Sequence, residues 1–152
     1  QRFDLLEDQL EIIKRLFTGE VVSYAGKQVS LKDAQMRPVP VQTPHPPIWI
    51  GGTGPKRTIP LVARYADVWH AWGSPGSLKD VNARIDELAQ QEGRKPSDIQ
   101  RASSLSLDDL DEARGRTAKW VDAGYDYLVC GWPAAGDAQI EEFARTVLPD
   151  FA

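Results

Sequence analysis

Apolar residues recur at spacings of three and four near the start of the chain, at Phe3, Leu6, Leu10, Ile13, Leu16 and Phe17, with Asp4, Glu7, Asp8, Glu11 and Lys14 between them. The spacing predicts an amphipathic helix over 2–17, stopped at Thr18-Gly19-Glu20. Alternation then takes over through Val22 and Tyr24, breaks at Ala25-Gly26-Lys27 and resumes at Val29 and Leu31, which predicts a short hairpin. Met36 to Pro47 is proline-rich and without periodicity, an extended connector. From Pro46 onward β-forming runs alternate with helix-period runs. The strands are expected at Ile48–Ile50, Ala66–Trp72, Ile99–Leu107 and Tyr125–Trp132, and the helices run through Tyr65 and over 77–91, 108–123 and 137–147. The third strand has the weakest alternation. A βαβαβαβα order with helical connections means a parallel sheet. The chain divides into a leading helix (1–17), a hairpin and proline-rich connector (20–45) and four βα units (46–152), all one segment.

The stretch Pro46-Pro47-Ile48-Trp49-Ile50-Gly51-Gly52-Thr53-Gly54-Pro55-Lys56-Arg57-Thr58 anchors that order. Two prolines mark the entry of a buried strand, and two glycines end it. Thr53 or Gly54 suits a helix N-cap and Pro55 the first helical position. Lys56 and Arg57 would then lie in the first turn, where the positive end of the macrodipole costs each cation about 0.3–1 kcal/mol. An anion held by Gly51, Gly52, Thr53, Gly54 and Arg57 would reverse that cost, through backbone N–H groups and charge-assisted hydrogen bonds. A tight βα turn with solvated basic residues accounts for the same pattern. The turn is not a Walker loop, and the dinucleotide fingerprint fails at Arg57, where a third glycine should stand.

Composition narrows the function classes. The 152 residues have the length of one domain and an ordinary 41% hydrophobic content. A formal charge of −4 and pI near 5.2 argue against general binding to nucleic acid or an anionic membrane. A single cysteine, Cys130, excludes an internal disulfide, and His45 and His70 are too few and too far apart for a zinc motif. No metal is expected. A reducing cytoplasm fits, with no signal peptide or long apolar run. The chain opens on Gln1 rather than Met and enters directly into helix, as expected of a piece of something longer or of a processed product.

Several linked motifs carry a resemblance. Leu16-Phe17-Thr18-Gly19-Glu20, Tyr24-Ala25-Gly26-Lys27, Arg37-Pro38-Val39-Pro40-Val41-Gln42, Ile48-Trp49-Ile50-Gly51-Gly52, Ala63-Arg64-Tyr65-Ala66-Asp67-Val68-Trp69, Ala123-Gly124-Tyr125-Asp126 and Val147-Leu148-Pro149 follow one another in order. Together they resemble the second half of luciferase-like monooxygenases, nearest to the members that use the deazaflavin coenzyme F420. The resemblance implies an α/β fold, the C-terminal half of a (β/α)8 TIM barrel, whose usual length of about 250 residues this chain does not reach. It implies a flavin-type cofactor, F420 first and FMN as the alternative. The cofactor phosphate would sit on Gly51, Gly52, Thr53 and Gly54, with help from Trp72, Gly73 and Ser74 after the next strand. A small organic substrate would exchange a hydride with the cofactor in the complete barrel. His70 stands where many members carry Asn, and Pro60 falls in a helix that is usually unbroken. The first four strands, which carry much of the substrate pocket in the family, are absent.

Catalytic residues remain unassigned at this level. His70 is a titratable group on a strand near the glycine turn, with no partner visible in sequence. Trp49 and Trp69 are expected to pack, whereas Trp72 lies at the strand end where a site belongs. Cys130 is expected to be an inert buried thiol. Asp67 and Asp126, near strand starts, are expected to be structural, and the acidic runs at 108–112 and 139–142 to be solvated helix starts and faces. A rival reading makes the chain a non-catalytic binding or assembly module. Its open edges and apolar inner face would be covered by a second copy in a homo-oligomer or by a separate N-terminal half-barrel partner.

Overall fold

The computed structural model describes residues 1–151. Helix α1 (Arg2–Leu16) leads into a hairpin of β1 (Val22–Ala25) and β2 (Ser30–Ala34). Asp8, on α1, locks the two together. Its carboxylate accepts hydrogen bonds from the backbone N–H groups of Lys27, Gln28 and Val29 and from the Tyr24 hydroxyl. Gly26 is required beside it, because a Cβ there would lie 2.4 Å from the carboxylate.

Four βα units follow. The strands are β3 (Trp49–Gly51), β4 (Val68–His70), β5 (Gln100–Leu105) and β6 (Tyr127–Cys130), parallel and in the order β3-β4-β5-β6. Between and after them run α2 (Thr58–Tyr65), α3 (Pro75–Gln91), α4 (Leu110–Asp122) and α5 (Asp137–Thr146). Strictly sequential neighbours joined by right-handed crossovers place every helix on one face, which is the half-barrel arrangement and not a doubly wound sheet. The helix-facing core gathers Ile50, Ile59, Val62, Trp69, Leu78, Ile85, Ile99 and Trp120, with Leu10 of α1 packed into it. A second cluster of Leu105, Leu107, Ala113, Phe143 and Val147 fixes the last unit.

The opposite face is concave and open. Trp49 and Tyr127 belong to the first and last strands of the sheet, which a flat sheet would hold about 14 Å apart. Their rings meet edge to face at 5.0 Å, so the sheet is curled as a barrel wall. Trp49 is 42% exposed on this inner surface, unlike Trp69, which is fully buried as expected.

Two expectations need correction. Helix α2 begins at Thr58, so Pro55, Lys56 and Arg57 form a turn ahead of it and neither cation sits in a first helical turn. Pro60 is the reason. A helix begun at Pro55 would bury that proline in its interior, where it has no N–H to donate and its ring strikes the preceding turn; starting at Thr58 keeps it in the first turn. Cys130 is exposed and not buried, because it closes β6 at the edge of the sheet. Partial desolvation still raises the thiol pKa, which keeps it protonated at neutral pH.

Candidate functional site

The glycine turn projects from the C-terminal end of β3 and is clamped by β4. The Gly52 N–H donates to the His70 carbonyl at 3.0 Å, and the Trp69 indole N–H donates to the Gly52 carbonyl at 2.8 Å. Gly52 holds φ at +110°, a conformation that L side chains rarely adopt, so glycine is required there. Beyond it, the Gly54 carbonyl accepts from the Ile59 N–H at 3.0 Å and ties the turn to α2. Among the described residues the Thr53 and Gly54 N–H groups have no intramolecular acceptor.

These groups edge a pocket of about 410 Å³ lined by Gly51, Gly52, Thr53, His70, Ala71 and Trp72. Four of the eight residues expected to hold cofactor therefore meet in one place: Gly51, Gly52, Thr53 and Trp72. The other four stand elsewhere. Gly54 turns toward Thr58. Arg57 leans back on α1, pairing with Asp4 at 2.6 Å and lying over the Phe3 ring at 5.7 Å. Gly73 and Ser74 line a separate cavity of about 280 Å³ with Glu112, Arg116, Lys119 and Trp120. Ser74 is there the N-cap of α3, its hydroxyl accepting from the Ser77 N–H at 3.2 Å in a reciprocal capping box.

Beside the pocket, His70 and Trp72 meet Ser104, which lines an adjoining cavity of about 360 Å³, in a polar cluster that no single stretch of sequence contains. His70 Nε2 lies 3.0 Å from Ser104 Oγ, and the Trp72 indole N–H donates to the same oxygen at 3.0 Å. The rings of His70 and Trp72 meet edge to face at 6.2 Å. Sequence reading missed Ser104, whose signal was the serine-rich alternation of β5. Register explains the meeting: His70 pairs with Ala102, and Ser104 lies two positions further on the same face. Asp67 and Asp126 stand at the opposite end, accepting from the Ile48 and Arg101 backbone N–H groups, as structural carboxylates should. Among the described residues no group of three His, Cys, Asp or Glu side chains could hold a metal. No helix is long and apolar enough to cross a membrane.

The fit to a phosphate-bearing group rests on these observations. Unpaired N–H groups, glycines that leave the backbone bare and an open apolar pocket beside them suit an anionic head with an organic tail. The model of the luciferase-like monooxygenase family matches residues 1–144. The chain belongs to that family. Similar solved structures agree in fold. An F420-dependent secondary alcohol dehydrogenase, solved with an F420-acetone adduct, superposes with a TM-score of 0.83 at 17% identity, over 97% of this chain and 61% of the other. The coenzyme F420 dependent tetrahydromethanopterin reductase from Methanopyrus kandleri gives 0.83 at 15% identity, over 99% and 64%. An EDTA monooxygenase from Chelativorans sp. BNC1 gives 0.78 at 14% identity, over 97% and 58%. The chain thus spans about three fifths of the length of these luciferase-like relatives, and its four βα units are half of their TIM barrel.

Proposed function

We propose that this half-barrel seats the phosphate end of a flavin-type cofactor on the Gly51–Gly54 turn, in an oxidoreductase that moves a hydride to or from a small organic substrate in the complete barrel. The observation that carries the reading is the pocket shared by Gly51, Gly52, Thr53 and Trp72, with the Thr53 N–H free there and the Gly54 N–H free on the next residue of the turn. Coenzyme F420 is the favoured cofactor because two of the similar structures are named for it, and FMN is the alternative. The cofactor supplies the hydride chemistry when bound. The chain supplies placement: the turn receives the phosphate, and the clamp from Trp69 and His70 keeps its backbone from yielding. Arg57, Gly73 and Ser74 act one step back from the phosphate, holding the turn and the start of α3 in position.

A tryptophan-fluorescence titration of the chain with F420, repeated with FMN, tests this. Saturable quenching that inorganic phosphate competes away supports the phosphate seat and names the cofactor. Absence of quenching with both rejects it.

A second reading has its own observation. Trp49, Tyr127 and Val129 leave 42%, 48% and 42% of their surfaces exposed on the concave face. A non-catalytic module whose face is covered by a second copy accounts for that exposure. A stable dimer in light scattering supports it, and a strict monomer rules it out.

A further inference from the structure

The pocket at the glycine turn has a neighbour on the side of α3. Its lining includes Ala71 and Trp72, and the next residues of the chain, Gly73, Ser74 and Pro75, line the cavity of about 280 Å³ between the start of α3 and α4. Trp72, 81% exposed, is the divide between the two. Past it the wall is bare backbone. A Cβ on Gly73 would lie 2.8 Å from Ser77 Oγ, so glycine is what lets the chain pass this close to α3. From α4 come the buried Trp120 and the charged side chains Glu112, Arg116 and Lys119.

The charge of this groove runs against that of the chain. Two cations and one carboxylate give it one net positive charge, while the protein carries −4. Glu112 leaves most of the cationic donors free. It accepts from Arg116 Nη1 at 3.3 Å in an exposed pair, which solvent screens and a ligand displaces at little cost, and Lys119 forms no ion pair among the described residues. The dipole of α4 accounts for a cation in its last turn, where Lys119 stands, but not for Arg116 before it. Three positions apart on one helix face, the two cations face the start of α3, whose partial positive charge adds to theirs. Such a group of donors suits a carboxylate. Both helices belong to this chain, so the walls of the groove need no strand from outside it.

Two adjoining cavities in that order, phosphate donors first and carboxylate donors next, sort the candidate cofactors by their chemistry. FMN ends at a phosphate monoester and has nothing to place beyond Trp72. F420 carries its phosphate as a diester that continues into a carboxylate-bearing tail. We propose that the α3–α4 groove is a tail site, in which Arg116 and Lys119 bind a carboxylate of the cofactor beyond its phosphate, and that it makes this half-barrel select a deazaflavin with such a tail over FMN. The inference rests on the phosphate seat proposed above, because the seat fixes where the tail begins. Adjacent strands lie about 4.8 Å apart, so the step from the β3 turn to the start of α3 is short. The tail site is a specificity device: it acts on the difference in affinity between two cofactors and takes no part in hydride transfer.

Isothermal titration of the whole chain with F420 and with FMN tests this, in the wild type and in the double variant Arg116→Gln, Lys119→Gln. Neither side chain is buried, so the variant should keep the wild-type urea midpoint. The tail site predicts that the variant weakens F420 about tenfold and leaves FMN unchanged. In the wild type alone, sodium chloride should weaken F420 more steeply than FMN. Equal losses for both cofactors, or a loss for neither, overturn the tail site. A second arm uses amide NMR with tri-γ-glutamate and no cofactor, which separates this inference from the phosphate seat. Gly73 and Ser74 should shift in the wild type and stay still in the double variant. A peptide that moves neither amide overturns the tail site while the seat stands. An F420 titration that leaves Thr53 and Gly54 still overturns the seat whatever the peptide does.

Discussion

At the N-terminal end of the sheet, Arg101 donates to the Ile99 carbonyl, to Asn82 Oδ1 at 2.9 Å and to Asp86 at 2.5 Å, while Asn82 donates to the Tyr125 hydroxyl at 3.0 Å. At the C-terminal end, the Thr53 and Gly54 N–H groups have no acceptor among the described residues, and His70 and Trp72 share one serine hydroxyl. Both ends contain a cavity, of about 380 Å³ around Arg101 and about 410 Å³ at the glycine turn. Cavity size does not distinguish them. The state of the donors does: one end has used its polar groups on itself, and the other leaves backbone donors without a partner in the chain. Barrel folds divide labour the same way, with stability at the N-terminal face and chemistry at the C-terminal face.

Breaking the saturated end should have the largest effect on folding. Arg101 is 8% exposed, and burial lowers its pKa while Asp86 opposes that shift. Arg101→Ala should cost about 3 kcal/mol, since it strands the Ile99 carbonyl and Asn82 without a donor. Urea denaturation measures this, and a loss under about 1 kcal/mol would show that the network is not structural. At the open end, Thr53→Asp should leave the urea midpoint in place and weaken cofactor affinity at least tenfold, about 1.4 kcal/mol, because it sets a negative charge beside the phosphate. Gly52→Asp is a poorer probe, as its φ of +110° adds backbone strain to the charge effect. Arg57→Glu should act more weakly than Thr53→Asp, since Arg57 is turned toward Asp4.

Smaller effects sharpen the contrast. Trp49→Ala on the concave face should cost about 1 kcal/mol, the worth of its edge contact with Tyr127. Asp8 offers a control outside the sheet. Backbone hydrogen bonds, that from Gln28 foremost, hold its carboxyl below the ordinary value of 3.8. A depressed folded value means that its stabilising contribution is complete above 3.8 and is lost as pH falls through the folded value. Hairpin amides should therefore lose hydrogen-exchange protection in acid in the wild type, while Asp8→Asn should be flat over the same range.

Periodicity and punctuation made most of the fold readable from sequence. The three-and-four spacing of Leu78, Val81, Ile85 and Leu88 and the stop at Gly93 located α3, and paired glycines after Ile48–Ile50 located the turn. Local rules misplaced the start of α2, because the capping signals at Thr53 to Pro55 outweighed Pro60, five residues beyond the supposed first position. They could not find Ser104 as the partner of His70. The two are 34 residues apart, and only the register of β4 on β5 joins them. The exposure of Cys130 and Trp49 was hidden for a related reason, since it depends on which strands stand beside them and not on their own neighbours in sequence.

The most direct measurement is amide NMR of the 152-residue chain during titration with F420, then with inorganic phosphate. The account predicts that the Thr53 and Gly54 amides shift first and furthest with both ligands, followed by the Trp72 indole with F420 alone. Shifts centred on the Arg101 cavity, or none at the glycine turn, would contradict it.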